Sequence, residues 1–239
     1  MLIKAMDIAS SGMRTYEDVM QVSAGNAVNA NTTGYMKKAF SISDLQHGKQ
    51  LSSNNSLDRG RGAKLARASL VRGQGELKET NATTHYAIVG EGFFKLRNLE
   101  TGDEYLTRAG DFVEVRNLSG EEPGYYLGTH DGLVVVGADG RGLEYDPQNR
   151  RAVLDVGIFE IGQHEKLRDA GNSRYLYRGE DEPRVSAEAI LEVGMLEGSA
   201  VEVSDEAIDL MVAKQGHNAS GKIFQLVGAA QDEVTNLMG

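Results

Sequence analysis

The sequence predicts a mainly β central domain, an antiparallel sandwich or a partly open barrel, flanked by N- and C-terminal α-helices pairing as a coiled-coil-like stalk. Three observations predict this fold class. Apolar residues repeat with heptad spacing at both ends of the 239-residue chain. Short apolar runs separated by turn residues fill the middle. All three prolines, Pro123, Pro147 and Pro183, also lie in that middle.

The N-terminal helix is predicted from apolar positions that alternate spacings of four and three. Its seam, which we expect to be an assembly surface, consists of Leu2, Met6, Ala9, Met13, Tyr16, Met20 and Ala27. The helix exit is predicted at Asn31, Thr32, Thr33, Gly34 and Tyr35. Gly34 is expected to need a positive φ there, because glycine adopts the left-handed conformation without steric cost.

The C-terminal helix is predicted from Ser204, with Asp205 and Glu206 in its first turn, where the helix dipole favours acids. Its assembly seam again steps by four and three, through Ile223, Val227, Ala230, Val234 and Leu237. Either stripe alone is also typical of an amphipathic helix lying on its own domain's core. Two such helices at opposite ends favour pairing with each other.

The middle of the chain is predicted to form short strands. They are predicted at Ala87–Val89, Phe93–Leu96, Glu104–Leu106, Phe112–Val115, Tyr125–Leu127, Leu133–Val136, Val153–Val156, Ile158–Ile161 and Arg174–Tyr177. The expected domains are a helical axial-core domain (1–33 plus 204–239) and a β-rich outer domain (85–184). An extended connector (34–84) and a return segment (185–203) join them.

Composition and motifs exclude several function classes. The formal net charge of −10 argues against general binding to nucleic acid or anionic membrane, and we expect no lipid anchor. The absence of cysteine excludes thiolate metal sites and a cysteine nucleophile. The five histidines are scattered and no nucleotide or phosphate-loop fingerprint is complete, so we expect no catalytic, cofactor-binding or metal-binding residues and no cofactor. The apolar core of a cleavable secretory signal is not visible at the start.

Six segments, in order along nearly the whole chain, resemble the signatures of the bacterial flagellar rod and hook protein family. They are Ala9–Met13, Ala30–Lys37, Gln74–Thr80, Ala87–Phe94, Tyr105–Phe112 and Gly194–Val201. Three places depart from that pattern: Ala200, His85–Tyr86 and Gln215–His217. A single compact β region resembles a proximal or distal rod protein more than the hook protein, which has extra domains.

The resemblance implies a non-enzymatic structural subunit of the flagellar basal-body rod. Such a subunit self-assembles into a helical axial filament that transmits torque from motor to hook. The implied partners are copies of the chain, other rod and hook proteins, and the type III export apparatus. The implied location is the periplasmic rod of the basal body, reached without a cleavable signal peptide.

Two alternatives from other classes stay open. A secreted or surface β-domain binding module would carry end helices that merely pack on it, and it would be monomeric with protected termini. A carbohydrate-active hydrolase would need a concave site with two facing carboxylates.

Overall fold

The computed structural model describes residues 2–45, 61–71, 73–117, 124–146, 155–186 and 189–238. The chain divides into two compact units. The helical unit comprises Met1–Val28, Lys38–Ser69 and Glu202–Gly239. The β unit comprises Asn29–Lys37 and Leu70–Val201.

Two helices bracket a series of short strands. In chain order the elements are α1 (Leu2–Val28), β1 (Lys38–Asp44), β2 (Ala63–Leu70), β3 (Leu77–Glu79), β4 (Tyr86–Val89), β5 (Phe93–Arg97), β6 (Glu104–Thr107), β7 (Val113–Asn117), β8 (Gly124–Gly128), β9 (Val134–Val135), β10 (Ile158–Glu160), β11 (Leu167–Gly171), β12 (Arg174–Tyr177), β13 (Arg184–Val185), β14 (Ile190–Val193), β15 (Met195–Glu197) and α2 (Val203–Met238). A 3-10 helix, His164–Lys166, leads into β11.

In the helical unit, α1 and α2 pack along each other, which confirms the predicted pairing of the two ends. Gly12 faces Ser220 and Tyr16 faces Gly216, so the two helices run antiparallel. Strands β1 and β2 form a two-stranded sheet, and β1 packs on α1. A helix with one apolar side is marginal alone, and each helix here gains its stability from what covers it.

The β unit is built on antiparallel pairings. A nine-stranded sheet has the order β11-β12-β6-β5-β9-β8-β7, and β10 joins it by pairing with both β5 and β13. Two small sheets pair β14 with β4 and β15 with β3. Antiparallel strands are confirmed, and within the described residues the sheets do not close into a barrel.

The apolar core of the β unit collects side chains from the short runs that the sequence identifies. Tyr86, Phe94 and Phe112 are fully buried, and the Phe94 and Phe112 rings meet edge to face with centroids 5.1 Å apart. A second cluster surrounds Met36 and Tyr175. Along β5, Phe93 and Phe94 are both buried, and from Phe94 onward buried and half-buried positions alternate, in keeping with the sheet's period of two.

The two units differ from the predicted domains. The predicted connector (34–84) contains β1, β2 and β3, and the predicted return segment (185–203) contains β14 and β15. Helix α1 ends at Val28, and the predicted helix exit belongs to the β unit. Strands β3, β14 and β15 have at most four residues, and β14 and β15 pair with strands far back along the chain. Strands β1 and β2 are longer but carry no run of three apolar residues, so the apolar pattern did not predict them. Half of the predicted Val153–Val156 strand, residues 153–154, lies outside the described residues.

Candidate assembly surface and motif junction

Helices α1 and α2 approach closely because small residues on each face larger ones on the other. A Cβ atom added at Gly216 would lie 2.3 Å from Cζ of Tyr16. One added at Gly12 would lie 2.9 Å from Oγ of Ser220. Since real Cβ contacts are essentially never this short, glycine is what admits the Tyr16 ring against the α2 backbone.

The predicted seam of α1 lies at the edge of the buried surface. Ala9 is buried, whereas Met6, Met13, Tyr16, Met20 and Ala27 are half-buried; the side chain of Leu2 lies outside the described part. The Sδ atom of Met13 lies 3.7 Å from a Cβ built on Gly221, so this seam residue faces α2. Its role as an assembly surface stays a prediction.

A polar layer on α1 was missed by the sequence reasoning. Thr15, Ser23 and Asn26 are buried, on the side of α1 next to its seam. The Asn26 side chain donates from Nδ2 to the Lys38 carbonyl (2.9 Å) and accepts from the Lys38 N–H at Oδ1 (3.0 Å). Thr15 Oγ1 lies 2.9 Å from the Ala63 carbonyl. The Asn26 amide and the Thr15 hydroxyl are satisfied by the backbone at β1 and β2, so their burial costs little, whereas the buried Ser23 hydroxyl has no hydrogen-bond partner among the described residues.

The same layer reaches α2 through Glu206, which is fully buried in the first turn. Asn26 Nδ2 lies 3.2 Å from Glu206 Oε2. Acids in the first turn of α2 are thus observed as predicted, but the helix begins one residue earlier than expected, at Val203. The spacing of buried Thr15, Ser23 and Asn26 was the available signal, because it continues a helical stripe beside the seam.

The predicted seam of α2 divides between two environments. Val227 and Ala230 are half-buried, whereas Ile223, Val234 and Leu237 are exposed. Further exposed apolar residues continue the exposed side, which we name the α2 stripe: Ile208, Val212, Ile223, Leu226, Val234 and Leu237. At about 100° per residue these six positions fall within a sector of about 80°. Leu226 is 70% exposed, and Leu237 is 81% exposed. The α2 stripe is therefore an apolar surface that the described residues leave exposed.

Five of the six motif segments meet at one place in the β unit. We name this place the junction, and it consists of Gly34, Gly75, Gly90, Gly92, Arg108 and Glu197. Its centre is a buried ion pair between Arg108 Nε and Glu197 Oε2, at 2.8 Å. Arg108 also donates to the carbonyls of Gly92 (3.1 Å) and Gly90 (2.9 Å). Sequence reasoning identified the segments but not their meeting point, because an ion pair across 89 residues leaves no local pattern.

Glu197 connects the ion pair to two further segments. Its Oε1 accepts from the Gly75 N–H at 3.0 Å, and its backbone carbonyl accepts from the Gly34 N–H at 2.9 Å. Burial raises the pKa of the Glu197 carboxyl above its ordinary value, against the opposing influence of Arg108 and the Gly75 N–H. Removing one partner of such a buried pair costs about 3–5 kcal/mol, since the other charge is left uncompensated.

Two motif glycines are required by how closely the backbones approach at the junction. Gly34 has a φ of 63°, as the sequence predicts, and a Cβ there would lie 2.2 Å from the Ala109 nitrogen. A Cβ at Gly75 would lie 2.2 Å from the Gly198 carbonyl oxygen. Any larger residue would separate these segments and stretch the bonds to Glu197.

The family departures occupy defined places. Gly216 receives Tyr16, and His217 Nε2 lies 3.2 Å from Glu17 Oε1 across the helix pair. The Ala200 N–H donates to the Tyr35 carbonyl at 3.1 Å.

We searched the described part of the chain for side-chain clusters that could bind a metal ion. No group of three or more histidine, aspartate or glutamate side chains there is arranged to hold a metal ion. The Arg108–Glu197 pair is enclosed by backbone, which suits a structural role.

Neither helix, over its described residues, combines the length and apolar character needed to cross a membrane.

Known proteins similar to this chain are flagellar. It is 23% identical to the flagellar basal-body rod protein FlgG of Bacillus subtilis, with 99% of each chain covered. It is 26% identical to FlgG of Borreliella burgdorferi, with 94% of each covered. It is 34% identical to the flagellar hook protein FlgE of Brucella abortus over 49% of this chain and 28% of that protein. No family model matches the chain. The chain is therefore similar to flagellar basal-body rod proteins along nearly its full length, and to flagellar hook proteins over part of it.

Proposed function

We propose that the protein is a structural, non-enzymatic subunit of the bacterial flagellar basal-body rod. The observation that carries this proposal is the end-to-end similarity to basal-body rod proteins, together with the presence of both terminal helices. The subunit assembles with its own copies and with other rod and hook proteins into a helical axial filament. That filament transmits torque from the motor to the hook.

The α2 stripe supports assembly through the helical unit. Its residues are apolar and continuous along α2, and large exposed apolar patches mark interaction sites. Burying a side chain such as Leu226 contributes about 1.5–3 kcal/mol. Contacts between different faces of successive copies generate a helical filament when the rotation does not close. The paired helices then act as the coiled-coil-like stalk of the subunit.

The similarity to flagellar rod proteins also supports a proposed export route and location. The protein is exported by the flagellar type III apparatus and occupies the periplasmic part of the basal body. A secreted β-domain binding module, the alternative, would leave the α2 stripe without a partner. The α2 stripe therefore favours the rod subunit.

A pair of adjacent substitutions tests this function. Leu226→Asp places a charge in the α2 stripe, whereas Gln225→Asp places the same charge on an exposed position about 100° away. Filament formation is followed by sedimentation and electron microscopy, and rod assembly by complementation of a strain that lacks the protein. We expect Leu226→Asp to abolish assembly and Gln225→Asp to retain it, with the helical CD signal equal in both.

Two outcomes would contradict the proposal. A wild-type chain that stays monomeric and fails to restore rods in the deletion strain would exclude the rod function. Normal assembly of Leu226→Asp would remove the α2 stripe from the assembly surface.

A further inference from the structure

The chain passes between its two units four times, and hydrogen bonds join the β-unit segments at three of these passages. The passages lie at 28/29, 37/38, 69/70 and 201/202. The Val71 N–H donates to the Lys37 carbonyl at 2.9 Å. The Ala200 N–H donates to the Tyr35 carbonyl at 3.1 Å. The β-unit ends of the second, third and fourth passages are therefore neighbours, and the short segment 29–37 connects them to the first.

Glu197 accepts hydrogen bonds from two of these segments. Its backbone carbonyl holds Gly34, which lies between the first and second passages, and its carboxylate holds Gly75, which follows the third. Glu197 itself ends β15, four residues before the last passage at Val201.

Arg108 fastens these segments to the nine-stranded sheet. It directly follows β6, whose Thr107 hydroxyl donates to the Ser173 carbonyl at 2.7 Å. Its guanidinium reaches Glu197 on one side and the turn between β4 and β5 on the other. The Arg108–Glu197 pair is thus a buried link between the nine-stranded sheet and these segments, alongside the hydrogen bond from the Met36 N–H to the Tyr175 hydroxyl of β12.

We propose that Arg108 and Glu197 are positioning residues that hold the four passages in one fixed arrangement, and that rod assembly depends on this arrangement. The second clause rests on the proposed function. In a subunit that transmits torque, these four segments are the covalent path for force between its units. A directional ion pair with satisfied hydrogen bonds fixes the segments in one geometry, whereas apolar contacts would allow sliding.

The test compares one substitution at two ion pairs. Glu197→Gln removes the charge from the junction. Glu104→Gln makes the same change in the surface pair with Arg97 (2.7 Å) and Lys95 (2.6 Å), on the same sheet. Hydrogen exchange of the full-length chain is measured at the amides of Gly34, Gly75 and Ala200, with near-UV CD as the check of the core. Filament formation is measured in parallel.

For Glu197→Gln we expect the hydrogen-exchange rates of these three amides to rise tenfold or more. We expect the near-UV CD signal of the core to persist and filament formation to be lost. Glu104→Gln should leave both exchange and assembly as in the wild type. Unchanged exchange in Glu197→Gln overturns the positioning role, and faster exchange with normal assembly overturns the dependence of assembly on it. If Glu197→Gln does not fold, Arg108→Lys, which keeps the charge but loses the forked hydrogen bonds, is measured against the same criteria.

The two proposals fail in different ways. If neither the wild type nor Glu104→Gln assembles, the proposed rod function fails. The exchange measurement still decides whether Arg108 and Glu197 hold the passages.

Discussion

Replacing Gly216 with alanine tests the close packing of α1 on α2. The new Cβ would lie 2.3 Å from Cζ and 2.5 Å from both Cε atoms of Tyr16. Ordinary contact begins at 3.4 Å, so the ring must retreat by about 1.1 Å, or the helices must separate. Overpacking of this kind costs about 1–3 kcal/mol. Alanine also returns about 1 kcal/mol of helix propensity, so we expect a net destabilisation of about 0–2 kcal/mol.

Gly228 supplies the matched control in the same helix. Nothing lies within 4 Å of a Cβ built there, so Gly228→Ala gains the helix propensity without a clash. We expect it to stabilise the chain by about 1 kcal/mol. The difference between the two substitutions, about 1–3 kcal/mol, is then the packing penalty at Tyr16.

Urea denaturation followed by the helical CD signal measures both variants at one temperature. The same Gly216→Ala change in a Tyr16→Ala background completes a double-mutant cycle, and the penalty should disappear there because the clashing ring is gone. Equal stabilisation by Gly216→Ala and Gly228→Ala would refute the reasoning, as would a penalty that survives without the Tyr16 ring.

Three further expectations concern the β unit. Gly34→Ala should lower the free energy of unfolding by about 2–4 kcal/mol, because of the positive φ and the backbone clash at that position. Gly132→Ala should lower it by only about 1–2 kcal/mol, because Gly132 has a φ of 82° but nothing lies within 4 Å of a Cβ built there. Equal losses of stability in urea denaturation would contradict this expectation. Tyr175→Phe removes the hydroxyl that accepts a hydrogen bond from the buried Met36 N–H at 3.1 Å. We therefore expect the free energy of unfolding in urea to fall by about 1–3 kcal/mol. An unchanged urea midpoint would contradict this expectation. Partial burial raises the pKa of Glu104, but hydrogen bonds and charges from its lysine and arginine neighbours outweigh this and hold it below the ordinary 4.5. Because the folded-state pKa is depressed, the stabilisation is present above about pH 4.5 and is lost as the pH falls through the folded-state value. The Tm difference between wild type and Glu104→Gln should therefore shrink on acidification, and a difference that is constant with pH would contradict the assignment.

The local pattern of the chain is enough to predict most of its elements. The heptads at the two ends predict paired helices, and the apolar runs around Phe94 and Tyr126 predict strands that the structure contains. These features follow from backbone periodicity, which a single segment displays by itself. The positive φ of Gly34 was also predicted from local sequence and is observed, although α1 ends at Val28 and Gly34 lies in the turn region after it.

Which helix face is covered, and by what, is not a local property. The heptads gave the period of α1, but the burial of Asn26 depends on Lys38 and Glu206, which lie 12 and 180 residues away. The α2 stripe lies uncovered for the same reason, since spacing alone does not say which apolar residues meet α1.

By itself the sequence determined that the ends form helices, that the middle forms short strands, and that the motif segments belong together in order. Only the tertiary structure decided that Arg108 and Glu197 meet, and that the passages between the units gather around them. The physical reason is that a buried charge is stable only beside its partner, and chain folding, not spacing, sets which charge that is.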